Sequence, residues 1–194
     1  MTDFGLSLIH ISALLTALGI NPHTTSRYME SNGTEVIERV LRIRPDGTVL
    51  YESDEESTLK IEAEEENTPT VREAAWGVAS LMQNLLGNAA GDAALYLQSI
   101  QQNNGVTTLQ FGYHLDGVPI RFSDGTCAAE AVLSGASIIS LQVHFRQYAR
   151  SGETSLTLPL RQALAIVAAH SGTELSMGYA DGGGETVSAA WLAD

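Results

Sequence analysis

Apolar residues recur every three to four positions in three separated stretches of the chain, and at every second position between them. Leu8, Ile11, Leu15 and Leu18 fall on one face, with Ala13, Leu14 and Ala17 close by and Gly19 after them. That spacing predicts a helix over 4–18 stopped by Gly19. Ala74, Val78, Met82 and Leu85 share a second face with Val71, Ala75, Leu81 and Leu86. Thr70 stands before them as an N-cap, and Glu73 follows three residues later as in a capping box. Gly87-Asn88 ends this helix. Leu160, Leu164 and Val167, with Ala163 and Ala168, mark a third helix over 159–169. Thr157 and Pro159 give it an N-cap and an early-turn proline, and Gly172 stops it.

The intervening segments read as strands and turns. Polar 21–33, with Pro22 and Gly33, is a loop; 34–44 then alternates, with Val36, Glu38, Val40 and Arg42 on one parity and Ile37, Arg39, Leu41 and Ile43 on the other. Pro45-Asp46-Gly47 turns the chain, 49–53 returns, and Leu59, Ile61 and Ala63 alternate with charged residues in a half-exposed third strand. Asn104-Gly105 is a strong hairpin signal between arms at 94–100 and 106–115. Asp116-Gly117 turns into Val118-Pro119-Ile120-Arg121-Phe122. Pro119 has no N–H to give a ladder, so this arm is expected at a sheet edge. A further hairpin is expected from 128–133 and 138–148 around Ser134-Gly135, with Ile139, Leu141, Val143 and Phe145 on its dry face. Short strands at 175–179 and 187–192 close the chain, joined by Asp181-Gly182-Gly183-Gly184.

A helix thus precedes a set of antiparallel strands three times, with Asp46-Gly47, Asp116-Gly117 and Asp181-Gly182 as approximate turn markers. The expected class is α+β, with helices packed on curved antiparallel sheets built from repeated α-β-β(-β) units. The least patterned stretch, 65–70, divides an N-terminal α+β subdomain (1–66) from a C-terminal one (67–194) that holds the main antiparallel sheet.

Charge narrows the functional classes. Against 23 Asp and Glu the 194 residues carry only 10 Lys and Arg, a net charge of -13. Binding to phosphates needs clustered Lys and Arg, so nucleic acid and an anionic membrane surface are both disfavoured. The longest apolar run, 4–20, is broken by Ser7, His10, Ser12 and Thr16, and is short of a bilayer span. Only Asp3 precedes it, where a signal peptide would carry basic residues. The chain as given reads as soluble. Cys127 is the sole cysteine, which excludes an intrachain disulfide and a multi-cysteine metal site.

Reactive motifs do not emerge. There is no nucleophile elbow, phosphate loop or zinc helix, and Gly182 to Gly184 lack the strand–turn–helix setting of a phosphate cradle. His10, His23, His114, His144 and His170 are scattered. The acidic runs 54–56 and 64–66 lack the spaced ligands and central glycine of a calcium loop and read as solvated faces. His114 and Asp116 flank a hairpin, where turn chemistry accounts for them. No catalytic, cofactor-binding or metal-ligating residue is assigned, and an enzymatic role is not expected.

One segment looks like a family signature. Phe111-Gly112-Tyr113-His114-Leu115-Asp116-Gly117-Val118-Pro119-Ile120 resembles the aromatic–x–Tyr–x–x–Asp–Gly–x–Pro–hydrophobic hairpin of the YycH/YycI proteins of Gram-positive bacteria. Arg146-x-Tyr148, Tyr179 and Trp191 fit the same pattern, over about 74–192. The resemblance implies a non-enzymatic extracytoplasmic domain, tethered in a longer native protein by an N-terminal membrane helix that this chain lacks. It implies regulation of a membrane sensor histidine kinase of a two-component system through protein contacts. PepSY-type and cystatin-like domains are the nearest structural analogy, and a homodimer is compatible with this architecture. The edge Val118, Pro119, Ile120, Arg121 and Phe122 is the candidate partner-binding element, by strand addition. Two alternatives stand beside this reading: a PepSY-type peptidase-inhibitory module, and a hydrolase with an unfamiliar site.

Overall fold

The computed structural model describes residues 8–38, 40–53, 59–63, 69–86, 90–152, 154–169 and 175–193. Helix α1 (Leu8–Ala17) presents Ile11, Leu14 and Leu15 to the core, and Leu18 is buried one residue beyond it. Gly19 takes a left-handed φ of 71°, which lets the Ile20 N–H donate back to the Leu15 carbonyl at 2.8 Å and closes the helix. The predicted start at 4–7 lies outside the described residues.

Helix α2 (Val71–Leu86) begins on the predicted capping box: Thr70 N–H donates to Glu73 Oε2 at 2.7 Å, and Glu73 N–H to Thr70 Oγ1 at 3.3 Å. It buries Ala74, Val78, Met82 and Leu85 as the spacing requires, and Leu86 with them. Helix α3 (Leu160–Ala169) starts where Pro159 offers its carbonyl to Gln162 and Ala163, and buries Ala163 alone. The expected stops at 87–88 and 172 lie outside the described residues, as do the two acidic runs.

Eleven described strands join one sheet. They are β1 (Arg27–Met29), β2 (Glu35–Ile37), β3 (Leu41–Ile43), β4 (Thr48–Glu52), β5 (Ala94–Asn103), β6 (Val106–Leu115), β7 (Val118–Phe122), β8 (Ala129–Ser134), β9 (Ser137–His144), β10 (Leu175–Asp181) and β11 (Ser188–Ala193). The order is β1-β2-β3-β4-β9-β8-β6-β7-β10-β11, with β5 on the other side of β6. The three helix-plus-strands units therefore fuse edge to edge. An antiparallel β4–β9 ladder joins the first to the second, across the 66/67 boundary read from the sequence. A parallel β7–β10 ladder joins the second to the third, the one parallel pair among the described strands of an otherwise antiparallel α+β sheet.

The hairpins at Asn104-Gly105 and Asp116-Gly117 turn as their residues demand, all four with positive φ between 51° and 81°. That is the type I′ twist favoured by two-residue loops. Two strand readings need correction. The alternating run 34–44 is not one strand: Glu38 takes φ 50° and folds it into the β2–β3 hairpin. Alternation is indifferent to such a reversal when each arm keeps its own dry face. The polar loop 21–33 contains β1, paired to β2. Segment 59–63 makes a single antiparallel bridge, Lys60 to Ser137, rather than a full strand, while Leu59 and Ile61 are buried as expected.

Strand β5 departs from alternation at a bulge between Leu97 and Ser99. Leu95 and Leu97 stand opposite Tyr113 and Phe111; after the bulge Ile100 stands opposite Leu109. The extra residue restores Ile100 to the same face as Leu97, which strict period two would forbid.

Candidate functional site

Of the residues that carry the family resemblance, Phe111, Tyr113, Ile120 and Tyr148 are buried in the core. Phe111 and Tyr113 are buried on β6. Tyr113 donates its hydroxyl to the His144 carbonyl at 2.9 Å, and its ring meets Tyr148 edge-on at 5.5 Å. Tyr148 donates in turn to Asp181 Oδ2 at 2.7 Å, with Arg146 Nε 4.0 Å from the same oxygen. Asp181 Oδ1 accepts the Gly183 N–H at 2.7 Å, and the Asp181 carbonyl accepts Ser123 N–H at 2.8 Å. Burial pushes both phenols far above their ordinary range, and at Tyr148 the Asp181 carboxylate adds to it. Such phenols hold their protons at neutral pH, so this cluster fastens the β10–β11 hairpin to the sheet. Trp191 makes a second fastening, donating Nε1–H to the Leu158 carbonyl at 2.7 Å.

The remaining titratable candidates are similarly occupied. Gly117 N–H donates to His114 Nδ1 at 3.2 Å, whereas Asp116 is held in two-pronged fashion by Arg150 at 2.6 and 3.2 Å. That hydrogen-bonded guanidinium draws the Asp116 carboxyl below the usual range. Cys127 is half-buried, and desolvation pushes its thiol upward, with Glu130 adding to the effect. It is therefore a poor nucleophile at neutral pH. Among the described residues no three His, Cys, Asp or Glu side chains form a group able to hold a metal ion.

His144, half-buried on β9, has its pKa lowered chiefly by desolvation; Asp46 and Asp124 oppose the shift, and Arg146 and Arg44 assist it. Gln142 Nε2 lies 2.7 Å from His144 Nε2, and Thr48 Oγ1 lies 3.1 Å from Nδ1. With the amide nitrogen as donor, the neutral ring keeps its proton on Nδ1 and donates to Thr48. The unfolded chain then takes up the proton first as pH falls. Stability is expected to be complete above the ordinary histidine pKa of about 6.5 and to decline from there down to the folded value. Urea titrations between pH 7.5 and 5 should show this decline, and His144→Gln should flatten it. An unchanged slope would contradict the assignment.

The predicted edge is not an edge. Val118, Pro119 and Ile120 pair with β6, and Ile120, Arg121 and Phe122 pair with β10. The β10 ladder starts one residue after Pro119, so the missing N–H costs no bond there. Ile120 is buried, and Arg121 and Phe122 instead line a polar cleft of about 480 Å³ with Thr126, Cys127 and Trp191. The strands with one described partner are β1, β5 and β11.

What the sequence reading missed is an exposed apolar surface around α3. Leu160 and Leu164 are 53% and 48% exposed, Ile166 is 50% exposed, and Leu156 just before the helix is 97% exposed. Ala163 faces the fold and these side chains flank it on both sides. Residues 154–169 contain one charged residue, Arg161, and no acid, in a chain of net charge -13. The alternating leucines of Ser155-Leu156-Thr157-Leu158-Pro159-Leu160 were the available signal. Trp76 on α2, 76% exposed, adds a second apolar projection.

No family model matches the chain, and no curated protein matches it. Among solved structures, the C-terminal domain of YpeB from Bacillus megaterium superposes with a TM-score of 0.50 at 10% identity, covering 96% of this chain and 85% of its own. At that identity the likeness is one of fold: the α+β arrangement of helices on a large, mainly antiparallel sheet.

Proposed function

We propose that this chain is a non-enzymatic, extracytoplasmic regulatory module that acts by binding protein. The single observation that carries the reading is the acid-free apolar surface of α3 and Leu156. Soluble domains seldom cluster this many exposed leucines without an acid among them unless something covers them. The YycH/YycI-like hairpin adds the kind of partner: a membrane sensor histidine kinase of a two-component system. Within this proposal the buried tyrosine–aspartate cluster holds the β10–β11 hairpin in place, next to the helix that docks. Among the described residues no helix is long and apolar enough to cross a membrane, so tethering would fall to a segment outside them.

The test is co-purification of the full chain with the detergent-solubilised sensor histidine kinases of its own cell. Leu160→Asp with Leu164→Asp, one turn apart and both exposed, places two charges on one face of α3 without touching the buried Ala163. Retention of a kinase is expected to fall by at least about tenfold, the equivalent of some 1.4 kcal/mol. Equal retention by wild type and variant, or none by wild type, would overturn the reading. The PepSY-type analogy favours a second reading, a peptidase-inhibitory module. Dose-dependent slowing of a cognate peptidase, lost in the same variant, would select it.

A further inference from the structure

Strand β5 is ten residues long, and its described ladder partner is β6 alone. Its sequence, Ala-Leu-Tyr-Leu-Gln-Ser-Ile-Gln-Gln-Asn, has no charged residue. Natural edge strands are commonly guarded by charges or bulges; this one carries no charge, and its bulge lies beyond the 94–97 stretch. Beside it runs α2, and the two elements enclose a groove of about 210 Å³. Its walls include Ala79, Met82 and Leu86 from α2, Leu95 and Leu97 from β5, and Phe111 from β6. No lining residue carries a charge.

We infer that the groove between α2 and the open edge of β5 is a binding site for an extended, uncharged peptide segment of a partner protein. The segment adds as a strand to β5 and seats one bulky aliphatic side chain against Ala79, Leu95 and Leu97, the lining residues that keep accessible surface. The occupant follows from the chemistry of the two walls. Among the described residues β5 has no ladder partner on its outer side, and a row of edge N–H and C=O groups is matched repeat for repeat by another extended backbone. Every second side chain of that strand then points to the α2 side of the sheet. A charged side chain there would lose its hydration with no counter-charge in reach, so the anchor is apolar. The bulge at Leu97/Ser99 ends the regular edge, so the 94–97 stretch beside the groove is the docking segment. This inference rests on the protein-binding reading but uses a surface separate from α3, so the two fail independently.

The experiment titrates the full ¹⁵N-labelled chain with a blocked alternating threonine–leucine hexapeptide. The control is its twin with alternate amides N-methylated, which keeps the side chains and removes donors. The plain peptide is expected to slow exchange of the outward amides of 94–97 by at least about tenfold, and the twin to bind at least about tenfold more weakly. Ala79→Met fills the groove from the helix, and Leu97→Thr strips its wall from the strand. Each should weaken the plain peptide while Leu164→Asp leaves it unchanged. Equal binding of the twin, or full binding by both groove variants, overturns the inference. Protection of 94–97 without peptide, with the chain dimeric, assigns the edge to a second copy and overturns it too.

Discussion

Asp181→Ala is expected to lower the unfolding free energy by about 3 kcal/mol, near the lower end of the cost of breaking a buried charged network. The carboxylate is only 5% exposed. It accepts from the Tyr148 hydroxyl and the Gly183 N–H, each at 2.7 Å, with Arg146 nearby. Alanine removes every one of these acceptor positions and leaves the Tyr148 hydroxyl buried without the carboxylate. It also loosens the turn that follows β10. For a domain of this size the melting temperature should fall by roughly 6–12 °C, at about 2–4 °C per kcal/mol. Asp181→Asn retains acceptor oxygen and should cost less. Tyr148→Phe removes the donor from the other side. If the hydroxyl–carboxylate bond is the fastening described, the double variant Asp181→Ala/Tyr148→Phe should lose clearly less than the sum of the single losses. Urea melts of the four proteins read this directly, and strict additivity would show that the two groups act separately.

Gly91→Ala should be comparably damaging for a different reason. Gly91 has φ 67° and bridges in parallel to Tyr148. An added Cβ would fall inside the contact distance of the Tyr148 carbonyl oxygen. That oxygen accepts the Asp92 N–H at 2.8 Å, and the Tyr148 N–H donates to Ala90 at 3.0 Å. The left-handed conformation costs alanine about 1–2 kcal/mol, and displacing the two backbone bonds about 1 kcal/mol each, so about 3 kcal/mol is expected. Gly105→Ala is the control. Its φ is 79° and nothing lies within 4 Å of a Cβ there, so only the conformational cost applies. Chemical denaturation should separate the two variants by about 2 kcal/mol, the two displaced bonds. Equal losses would mean that the Tyr148 carbonyl moves aside freely.

The elements most legible in the sequence were those whose signals are local. The capping box of α2, its buried face and the two type I′ hairpins each depend on residues within four or five positions of one another. Glu38 reverses the chain without glycine, asparagine or aspartate, so the β2–β3 hairpin left no local mark. The candidate site was legible only in part. The family-like pattern included Arg146, Tyr148, Tyr113 and Trp191, of which the structure gathers the first three into one cluster; Asp181, which joins Tyr148 and Arg146, reads in the sequence only as a turn marker. Pro119 correctly argued for a missing ladder donor at its own position. It carried no information about β10, which arrives beside Ile120 from more than fifty residues later.

By itself the sequence determined the α+β class, the threefold recurrence of helix before strands, and the absence of a recognisable reactive motif. Periodicity, caps and turn residues act over short stretches of backbone, and so do their energies. Tertiary structure decided which strands are edges and which apolar face stays uncovered. Whether β7 is interior, β5 open and α3 seated on Ala163 alone depends on which distant strands arrive beside them. That choice is made by the packing of the whole sheet, and no window of sequence contains it.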